Sequence, residues 1–408
     1  MKPIIRFRQY NKEWCPFKLN TILVPSNEKN TKGLYSKNDV LSVSGEAGIV
    51  NQIAFQGRSF AGASVLNYGV VNTNDIVYTK SPLRNNPYGI IKTNNGPSGI
   101  VSTLYAIYNC CEKSCPQFVE TYFTLSSRTN NYLRPLVRKG AKNDMKVSSE
   151  GALQGNVIFP YKDEQIEIAS YFRTLDAKLQ ASAKKVDSLK KLKSASLVAM
   201  FPQQGKTTPK VRFKGFEGEW SKVELCSISK KVTNRNMDMQ YTTTLTNSAE
   251  HGIIDQLAFF DHQVSNNDNI SGYYVVENGD FVYNPRISAL APVGPINQNQ
   301  IGYTGVMSPL YYVFRVDGVD TDYLSYYFKT TLWHQYLKDV GNSGARFDRL
   351  AITDSDFQKM PIYLPTNREE QQAIATFFRS LDRKIALETA RLEKLKQIKL
   401  ACLDKMFV

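Results

Sequence analysis

Residues 165–179 read QIEIASYFRTLDAKL, and residues 371–385 read QQAIATFFRSLDRKI, 206 positions further along the chain. The same spacing relates Met200-Phe201 to Met406-Phe407. Solenoid repeats have much shorter periods, of about 20–50 residues. The chain is therefore predicted to be a tandem duplication of one module, in which a globular region is followed by a long helix.

The length, composition and net charge of the chain limit the class of protein to which it can belong. Its 408 residues fit two or three domains, and a hydrophobic content of 42% suffices for two cores. The net charge of +14 favours a polyanionic partner, with nucleic acid first, although an inert basic protein is the alternative. The sequence has no apolar run of about 18 residues and no apolar signal-peptide core. We therefore expect a cytoplasmic protein that does not bind membranes.

Two long segments without Gly or Pro follow Pro160 and Pro365. Proline just before a helix is common, because it lacks the N–H that an interior helical position would use. Thr366 and Glu369 have the spacing of a capping box, which would begin the second helix. Both segments are predicted to be single helices.

Apolar residues recur in steps of three and four along both predicted helices, as in a coiled-coil seam. The seam residues are Phe172, Leu175, Leu179, Val186 and Leu189 in the first helix and Phe378, Leu381, Ile385, Leu392 and Leu395 in the second. Ser182 and Glu388 interrupt the seam at matching inward positions. Neither helix can bury its stripe alone, so we expect the two to pair about a pseudo-two-fold axis, and hence antiparallel. Packing of each helix on its own globular region alone is the alternative.

The rest of the chain has strand-like runs between Gly, Asn and Pro turns. Ile76-Val77-Tyr78 and Phe281-Val282-Tyr283 are equivalent examples, and short helices are expected near Phe118–Leu125 and Tyr323–Leu337. The predicted fold class is therefore α+β. The predicted parts are residues 1–160, a globular region; 161–202, a central helix; 203–365, a polar linker and a second globular region; and 366–408, a C-terminal helix.

Basic loops in the two globular regions differ in sequence, whereas the runs that flank them are shared. Arg and Asn side chains can form paired hydrogen bonds to guanine and adenine edges, and Lys mainly binds phosphate. A solvated surface charge is the alternative for any single residue. We predict nucleic-acid contacts from Lys80, Arg84, Asn85, Lys142, Arg286, Asn342, Arg346 and Arg349.

Catalytic motifs are missing from the sequence. There is no G-x-G, which a dinucleotide fingerprint requires and which the usual S-adenosylmethionine loop contains. Asn85-Asn86-Pro87-Tyr88 departs from the Asn-Pro-Pro-Tyr tetrad of amino-methyltransferases, because Asn replaces the first proline. Cys111 and Cys115 resemble half of a metal site, but no second pair has ligand spacing. We expect a chain that binds and positions, without catalytic residues, cofactor or metal.

The pattern resembles the specificity subunit of type I restriction–modification systems over the full length of the chain. The resemblance rests on the order of globular regions and helices, and on PTNREEQQAI at residues 365–374 with its weaker copy PYKDEQIEI at residues 160–168. Leu175-Asp176 and Leu381-Asp382 also fit the family. Gly344-Ala345-Arg346 stands where the family carries a Gly-rich loop that faces DNA.

That resemblance implies two target recognition domains joined by two long antiparallel coiled-coil helices. Each domain would read one half of a bipartite, asymmetric duplex DNA target, and the helices would set the gap. Two methyltransferase subunits carrying S-adenosylmethionine would dock on the helices. Two restriction subunits would add translocation and cleavage with ATP and Mg²⁺, as in phage defence. Gly140-Ala141-Lys142, the copy in the first half, departs from the family pattern, with a one-residue length difference in each half.

Two other functions stay open on the sequence alone. A self-contained DNA adenine methyltransferase predicts that the isolated chain binds S-adenosylmethionine, and the missing glycine loop argues against it. A non-catalytic coiled-coil scaffold would contact proteins only, and the net charge of +14 argues against it. The salt dependence of DNA affinity separates the scaffold from a DNA-binding protein, because phosphate contacts weaken as ionic strength rises.

Overall fold

The computed structural model describes residues 1–83, 85–139, 145–259, 267–343 and 348–408. The chain divides into two units, of which the first comprises Met1–Ala183 with Thr389–Val408 and the second Lys184–Glu388. Each unit contains one globular region and parts of both long helices. None of the helices within these ranges combines the length and apolar composition that a membrane crossing requires.

The first unit is built from short antiparallel strands around a four-stranded sheet of order β2-β9-β6-β7. Its strands are β1 (Cys15–Lys18), β2 (Leu23–Pro25), β3 (Leu41–Ser44), β4 (Gly48–Asn51), β5 (Gly69–Val71), β6 (Ile76–Thr79), β7 (Ile91–Thr93), β8 (Gly99–Val101), β9 (Tyr105–Cys110), β10 (Arg138–Lys139), β11 (Met145–Lys146) and β12 (Asn156–Phe159). Its helices are α1 (Gln52–Gln56), α2 (Pro116–Tyr122), α3 (Ser126–Leu133) and the long α4 (Lys162–Ala199), which continues into the second unit. The remaining strand pairs are β1-β12, β3-β4, β5-β8 and β10-β11.

The second unit repeats this plan, with a four-stranded sheet of order β14-β21-β18-β19. Its strands are β13 (Ser221–Glu224), β14 (Ser229–Lys231), β15 (Leu245–Ser248), β16 (Gly252–Asp255), β17 (Tyr274–Val276), β18 (Phe281–Tyr283), β19 (Ile296–Gln298), β20 (Gly305–Met307), β21 (Tyr312–Val316), β22 (Asn342–Ser343), β23 (Leu350–Ala351) and β24 (Pro361–Leu364). Its helices are α5 (Gln256–Phe259), α6 (Thr321–Tyr327), α7 (His334–Val340), α8 (Asp354–Gln358) and the long α9 (Arg368–Lys405), which ends in the first unit. Each described strand pair of the first unit has a counterpart here, so the predicted duplication and the α+β class are confirmed.

The central strand of each sheet is buried on both faces. In β6, Ile76 and Tyr78 belong to the main core, whereas Val77 packs in a separate apolar cluster with Leu41. Strand β18 repeats this arrangement, with Val282 on its second face. The sequence of a strand that is covered on both faces is a continuous run of apolar residues. It does not alternate between apolar and polar residues. This explains why these two runs were visible in the sequence.

The long helices α4 and α9 run antiparallel within the first unit. The hydroxyl of Tyr171 lies 3.4 Å from Sγ of Cys402, and Asp176 forms an ion pair with Lys399. Residue numbers therefore rise along α4 as they fall along α9.

The same direction holds within the second unit. Lys185 Nζ lies 2.9 Å from Glu388 Oε2, and Lys193 Nζ lies 2.5 Å from Asp382 Oδ1. The pair between Lys193 and Asp382 is the repeat equivalent of the pair between Asp176 and Lys399 in the first unit. The predicted antiparallel pairing of the helices is confirmed.

The seam of this helix pair is buried unevenly. Its buried residues are Phe172, Leu175, Val186, Phe378 and Leu381, and its partly exposed residues are Leu179, Leu189, Ile385, Leu392 and Leu395. Ser182 and Glu388 are buried although they are polar. Two helices alone leave the sides of a seam open to solvent, which accounts for the partly exposed positions.

The first turn of α9 corrects a detail of the sequence prediction. The N–H of Glu369 donates to Oδ1 of Asn367 at 2.8 Å, so Asn367 caps the helix. The capping role predicted for Thr366 is therefore wrong by one residue. The reason is that α9 begins at Arg368, and the cap is the residue immediately before the first helical one.

The Glu-Gln pair near the start of each long helix fastens that helix to its globular region. Glu370 accepts two hydrogen bonds from Arg212, at 2.6 and 2.7 Å. The side-chain amide of Gln371 donates to the carbonyl of Pro365 at 3.1 Å, and its oxygen accepts from the N–H of Asp320 at 3.0 Å. Its equivalent in the first unit, Glu164-Gln165, is bound by Arg6, Pro160 and Cys115.

Each long helix is followed by an aromatic residue that enters a globular core. Phe201, after α4, packs against Trp220 and Tyr323 with ring centroids 6.1 and 5.5 Å apart. Phe407, after α9, packs against Trp14 at 6.3 Å. The last residues of the chain thus complete the core of the first unit.

Candidate nucleic-acid interface

A loop that follows β6 is held closed at both ends. The hydroxyl of Tyr78 donates to the carbonyl of Tyr88 at 2.7 Å. Gly89 has a φ of 90°, and a Cβ at this position would lie 1.9 Å from the carbonyl oxygen of Thr79. Only glycine fits such a position. The two ends of this loop, at Thr79 and at Tyr88-Gly89, are therefore held together.

Two predicted contact residues, Lys80 and Asn85, lie in this loop. Burial lowers the pKa of Lys80, and Glu150 partly offsets that effect. A bound phosphate would favour the charged form again, because an opposite charge nearby stabilises it. Asn85 is exposed, and its carbonyl accepts a hydrogen bond of 3.1 Å from the side chain of Asn130. Arg84 lies outside the described residues.

The loop after β18 has the same closure. The hydroxyl of Tyr283 donates to the carbonyl of Val293 at 2.9 Å. Gly294 has a φ of 80°, and a Cβ there would lie 2.0 Å from the carbonyl oxygen of Asn284. This loop carries Arg286, which is exposed. These two loop closures were not predicted from the sequence. The pattern that indicates them is a tyrosine eleven residues before a glycine, which occurs in both copies.

In the second unit, this loop pairs with the hairpin of β22 and β23. Backbone hydrogen bonds of 2.9 and 3.0 Å join residues 285 and 287 to residues 350 and 348. Arg286 therefore stands opposite Arg349 in an antiparallel bridge.

Asn342 belongs to the same hairpin, where it is exposed and pairs in register with Ala351. The structure thus brings together three predicted residues, Arg286, Arg349 and Asn342. Arg346 lies outside the described residues.

The charge of Arg286 is only loosely neutralised. Its Nε lies 3.5 Å from Oδ2 of Asp348, and the side chains are 67% and 47% exposed. An ion pair this exposed contributes about 0–1 kcal/mol, so the guanidinium can move to a base edge or a phosphate at small cost. The sequence prediction missed Asp348 as the partner, although it lies between two predicted contact residues.

The first unit has the equivalent hairpin in β10 and β11. Arg138 stands opposite Lys146 in its register, and both are exposed. Lys142 lies outside the described residues. The prediction did not include Arg138 or Lys146 among the contact residues, although they flank the same basic loop.

The part of the chain that the structure describes contains no group of three or more His, Cys, Asp or Glu side chains arranged to hold a metal ion. All six cysteines are free thiols. Burial raises the pKa of Cys110 to about 11, which keeps that thiol protonated and unreactive near neutral pH.

A duplicated frame presents arginine, lysine and asparagine on equivalent loops of the two units. Residues 222–397 match the family model described as the type I restriction modification DNA specificity domain. Residues 222–397 therefore carry this domain, which agrees with the resemblance described from the repeat.

Solved structures of two proteins share the fold over the whole chain. The S subunit of a type I restriction–modification system from M. genitalium is 11% identical, with a TM-score of 0.56 over 100% of this chain and 99% of that chain. A chain from a structure on complex assembly and conformational transition of the type I R-M system is 16% identical, with a TM-score of 0.50 over 97% and 98% of the two chains. No curated protein matches the sequence.

Proposed function

We propose that the chain reads a bipartite, asymmetric duplex DNA target, with one half-site for each globular region. The observation that carries this proposal is a single frame, built twice, that presents different side chains. The second region offers Arg286 and Arg349, and the first offers Lys80 and Asn85 at loops closed in the same way. Identical contacts would suit two identical half-sites, whereas different contacts suit an asymmetric target.

The chemistry of these side chains supports direct reading of bases. An arginine such as Arg286 can donate two hydrogen bonds to O6 and N7 of guanine, and an asparagine such as Asn342 can pair with adenine. Lysine holds phosphate and positions the protein on the duplex. The proposed contact set includes Arg84, Lys142 and Arg346, which carry the same chemistry in the same loops.

We propose that α4 and α9 set the distance between the half-sites. Each helix has 38 residues, which corresponds to about 57 Å at a rise of about 1.5 Å per residue. Their pairing through the seam and through repeated ion pairs would hold this distance constant. The four-part division at residues 160, 202 and 365 belongs to this proposal.

The proposed partners supply the chemistry that the chain lacks. Two methyltransferase subunits carrying S-adenosylmethionine would dock on the helices, and each would flip one adenine out of the stack, because a stacked base is out of reach. Two restriction subunits would bring ATP and Mg²⁺. The similarity in fold to a chain from an assembled type I system supports this arrangement.

The test is methylome sequencing of cells that carry this gene, its methyltransferase partner, both genes or neither. We expect N6-methyladenine at one split, asymmetric motif only when both genes are present. Methylation by the partner alone, or no new motif when both proteins are expressed and soluble, would contradict the proposal.

A further inference from the structure

The positive charge of the chain is divided unequally between the two globular regions. Residues 1–160 carry 19 Lys and Arg against 9 Asp and Glu, whereas residues 203–365 carry 15 against 17. The two regions have the same fold, and that fold does not require a difference in charge. Such a difference changes how strongly each region attracts a polyanion.

In the second region, several cations are neutralised within the protein. Arg315 Nε lies 2.7 Å from Oδ1 of Asp280, and Lys231 forms an ion pair with Asp354. Arg286 has Asp348 as its neighbour at 3.5 Å. These charges are partly cancelled before any ligand binds.

The first region keeps a like-charged pair on the hairpin of β10 and β11. Arg138 and Lys146 are cross-strand partners, and both are exposed. Among the residues that the structure describes, neither has a carboxylate as an ion-pair partner. Residues directly opposite in an antiparallel pair have Cβ atoms about 5 Å apart, so like charges there repel and destabilise the hairpin.

The equivalent register position in the second region lacks this like-charged pair. Asn342 occupies the place of Arg138, and it stands opposite Ala351. The same local structure therefore forms without two cations. An anion bound between Arg138 and Lys146 would turn their repulsion into a favourable arrangement.

A second pair of equivalent loops shows the same difference in charge. Asn30 and Asn236 are buried, and each side chain donates to the carbonyl five residues later, at 2.8 and 2.7 Å. Within these loops, Lys32 is exposed in the first region and Asp238 in the second. A cation thus stands where the other copy has an anion, on one common scaffold.

We propose that Arg138 and Lys146 bind one phosphate group of the DNA backbone between them, and that the first globular region supplies most of the salt-dependent part of the affinity for DNA. The guanidinium can donate two parallel hydrogen bonds to phosphate oxygens, and the ammonium adds a compact charge. This inference rests on the proposed DNA-reading function and adds an asymmetry to it. In this proposal, the first region binds the DNA backbone more strongly than the second region does.

The test replaces the first hairpin pair by the side chains of the second, in an Arg138→Asn/Lys146→Ala variant. The full chain, bound to its methyltransferase partner, is titrated onto a duplex carrying the methylated motif at several salt concentrations. One lost phosphate contact should make the slope of log affinity against log salt less steep by about 0.9. Affinity should fall equally on a scrambled duplex, and the methylated motif should stay the same, because phosphate contacts carry no sequence information.

A matched control removes two exposed cations from the second region, in a Lys214→Gln/Lys222→Gln variant. This variant loses the same charge, and we expect its salt slope to equal that of the unmodified chain. The thermal midpoint of the hairpin variant should be unchanged or raised, because like-charge repulsion is relieved. A purely structural role for the pair would instead lower the midpoint and leave the slope unchanged.

Three outcomes would overturn the proposal. In the first outcome, the hairpin variant keeps the full salt slope. In the second, the slope of the control falls as much as that of the hairpin variant, which would show that the effect depends on total charge and not on this site. The hairpin variant could also lose its methyltransferase partner, which would make this surface a protein contact. If the unmodified complex neither methylates a split motif nor binds DNA in a salt-dependent way, the proposed function itself fails.

Discussion

Phe201 and Phe407 show how one side chain joins a long helix to a globular core. Both lie just past the end of a helix, at equivalent positions of the repeat, and both are almost fully buried. Arg128 lies over the ring of Phe407, 4.6 Å from its centroid, and donates to the carbonyl of Leu403 at 2.7 Å. The end of α9 is therefore packed into the first unit.

Replacing Phe407 by alanine should destabilise the first unit. Loss of a buried phenylalanine side chain from a packed core costs about 3–5 kcal/mol. The measurement is chemical denaturation followed by limited proteolysis, to assign the affected transition to residues 1–160. Leu400→Ala, at a site that is 60% exposed on the same helix, is the control and should change stability little. Equal effects of the two substitutions would contradict the packing described for Phe407.

The ion pair of Arg212 with Glu370 makes a second prediction at this scale. The side chain of Glu370 is 1% exposed, so Arg212→Met would leave a buried carboxylate without its partner, at a cost of about 3–5 kcal/mol. The double variant Arg212→Met/Glu370→Leu should recover much of that loss, because no unpaired charge remains. Denaturant unfolding of both variants measures the difference. A double variant as unstable as the single one would show that the pair does not act in this way.

The Glu-Gln stretch was identified in the sequence, but its hydrogen bonds to the globular region were not predicted. Its position before a helix is a local pattern, whereas the hydrogen bond from Asp320 to Gln371 spans 51 positions. A contact of that kind depends on the folded sheet and has no local signature. Spacing likewise suggested Thr366 as the cap, because the start of α9 was uncertain by one residue.

At the scale of elements, the long helices were predictable because the seam pattern is periodic and local. The antiparallel direction followed from the repeat, and the ion pair between Lys193 and Asp382 shows it directly. The two-residue strands β10, β11, β22 and β23 were not predictable. Such short strands form because their partner is close in space, and residues as few as Asn342-Ser343 carry no pattern of their own.

The helix pair predicts how the distance between half-sites changes with helix length. Deleting Ser182–Ser188 from α4 together with the equivalent Glu388–Lys394 from α9 removes both partners of the pair between Lys185 and Glu388. It keeps the pairs Lys193–Asp382 and Asp176–Lys399 in register, because both helices lose seven residues. The preferred gap should shorten by about 10 Å, or about three base pairs. Methylome sequencing gives the gap of the new motif. Methylation at the original gap would contradict the proposed role of the helices.

Deletion of Ser182–Ser188 alone is the matched control for this experiment. It shifts Lys193 by seven residues relative to Asp382, so the seam and the ion pairs lose their register. We expect this chain to be less stable in denaturant than the chain with both deletions. Equal stability of the two would mean that the register of the helices contributes little.

For the whole molecule, the repeat predicted the order of globular regions and helices. The two copies differ mainly in their loops. The duplication, the α+β class and the helices were all present in the sequence as patterns. The candidate interface was predicted in part: Arg286, Arg349 and Asn342 come together, whereas Arg84, Lys142 and Arg346 lie outside the described residues. The pairing of residues 138 and 146 was not predicted, because their closeness arises only from strand pairing.

In the proposed function, the two globular regions read different halves of one DNA target. The most direct measurement is methylome sequencing of cells carrying the methyltransferase partner with either of two variants, the double variant Arg286→Ala/Arg349→Ala or the single variant Asn85→Ala. Loss of a base contact costs about 1–3 kcal/mol of discrimination, so each variant should relax or abolish the sequence preference at one half-site and leave the other intact. The affected half should differ between the two variants. Changes in the same half for both variants, or equal changes in both halves, would contradict the account.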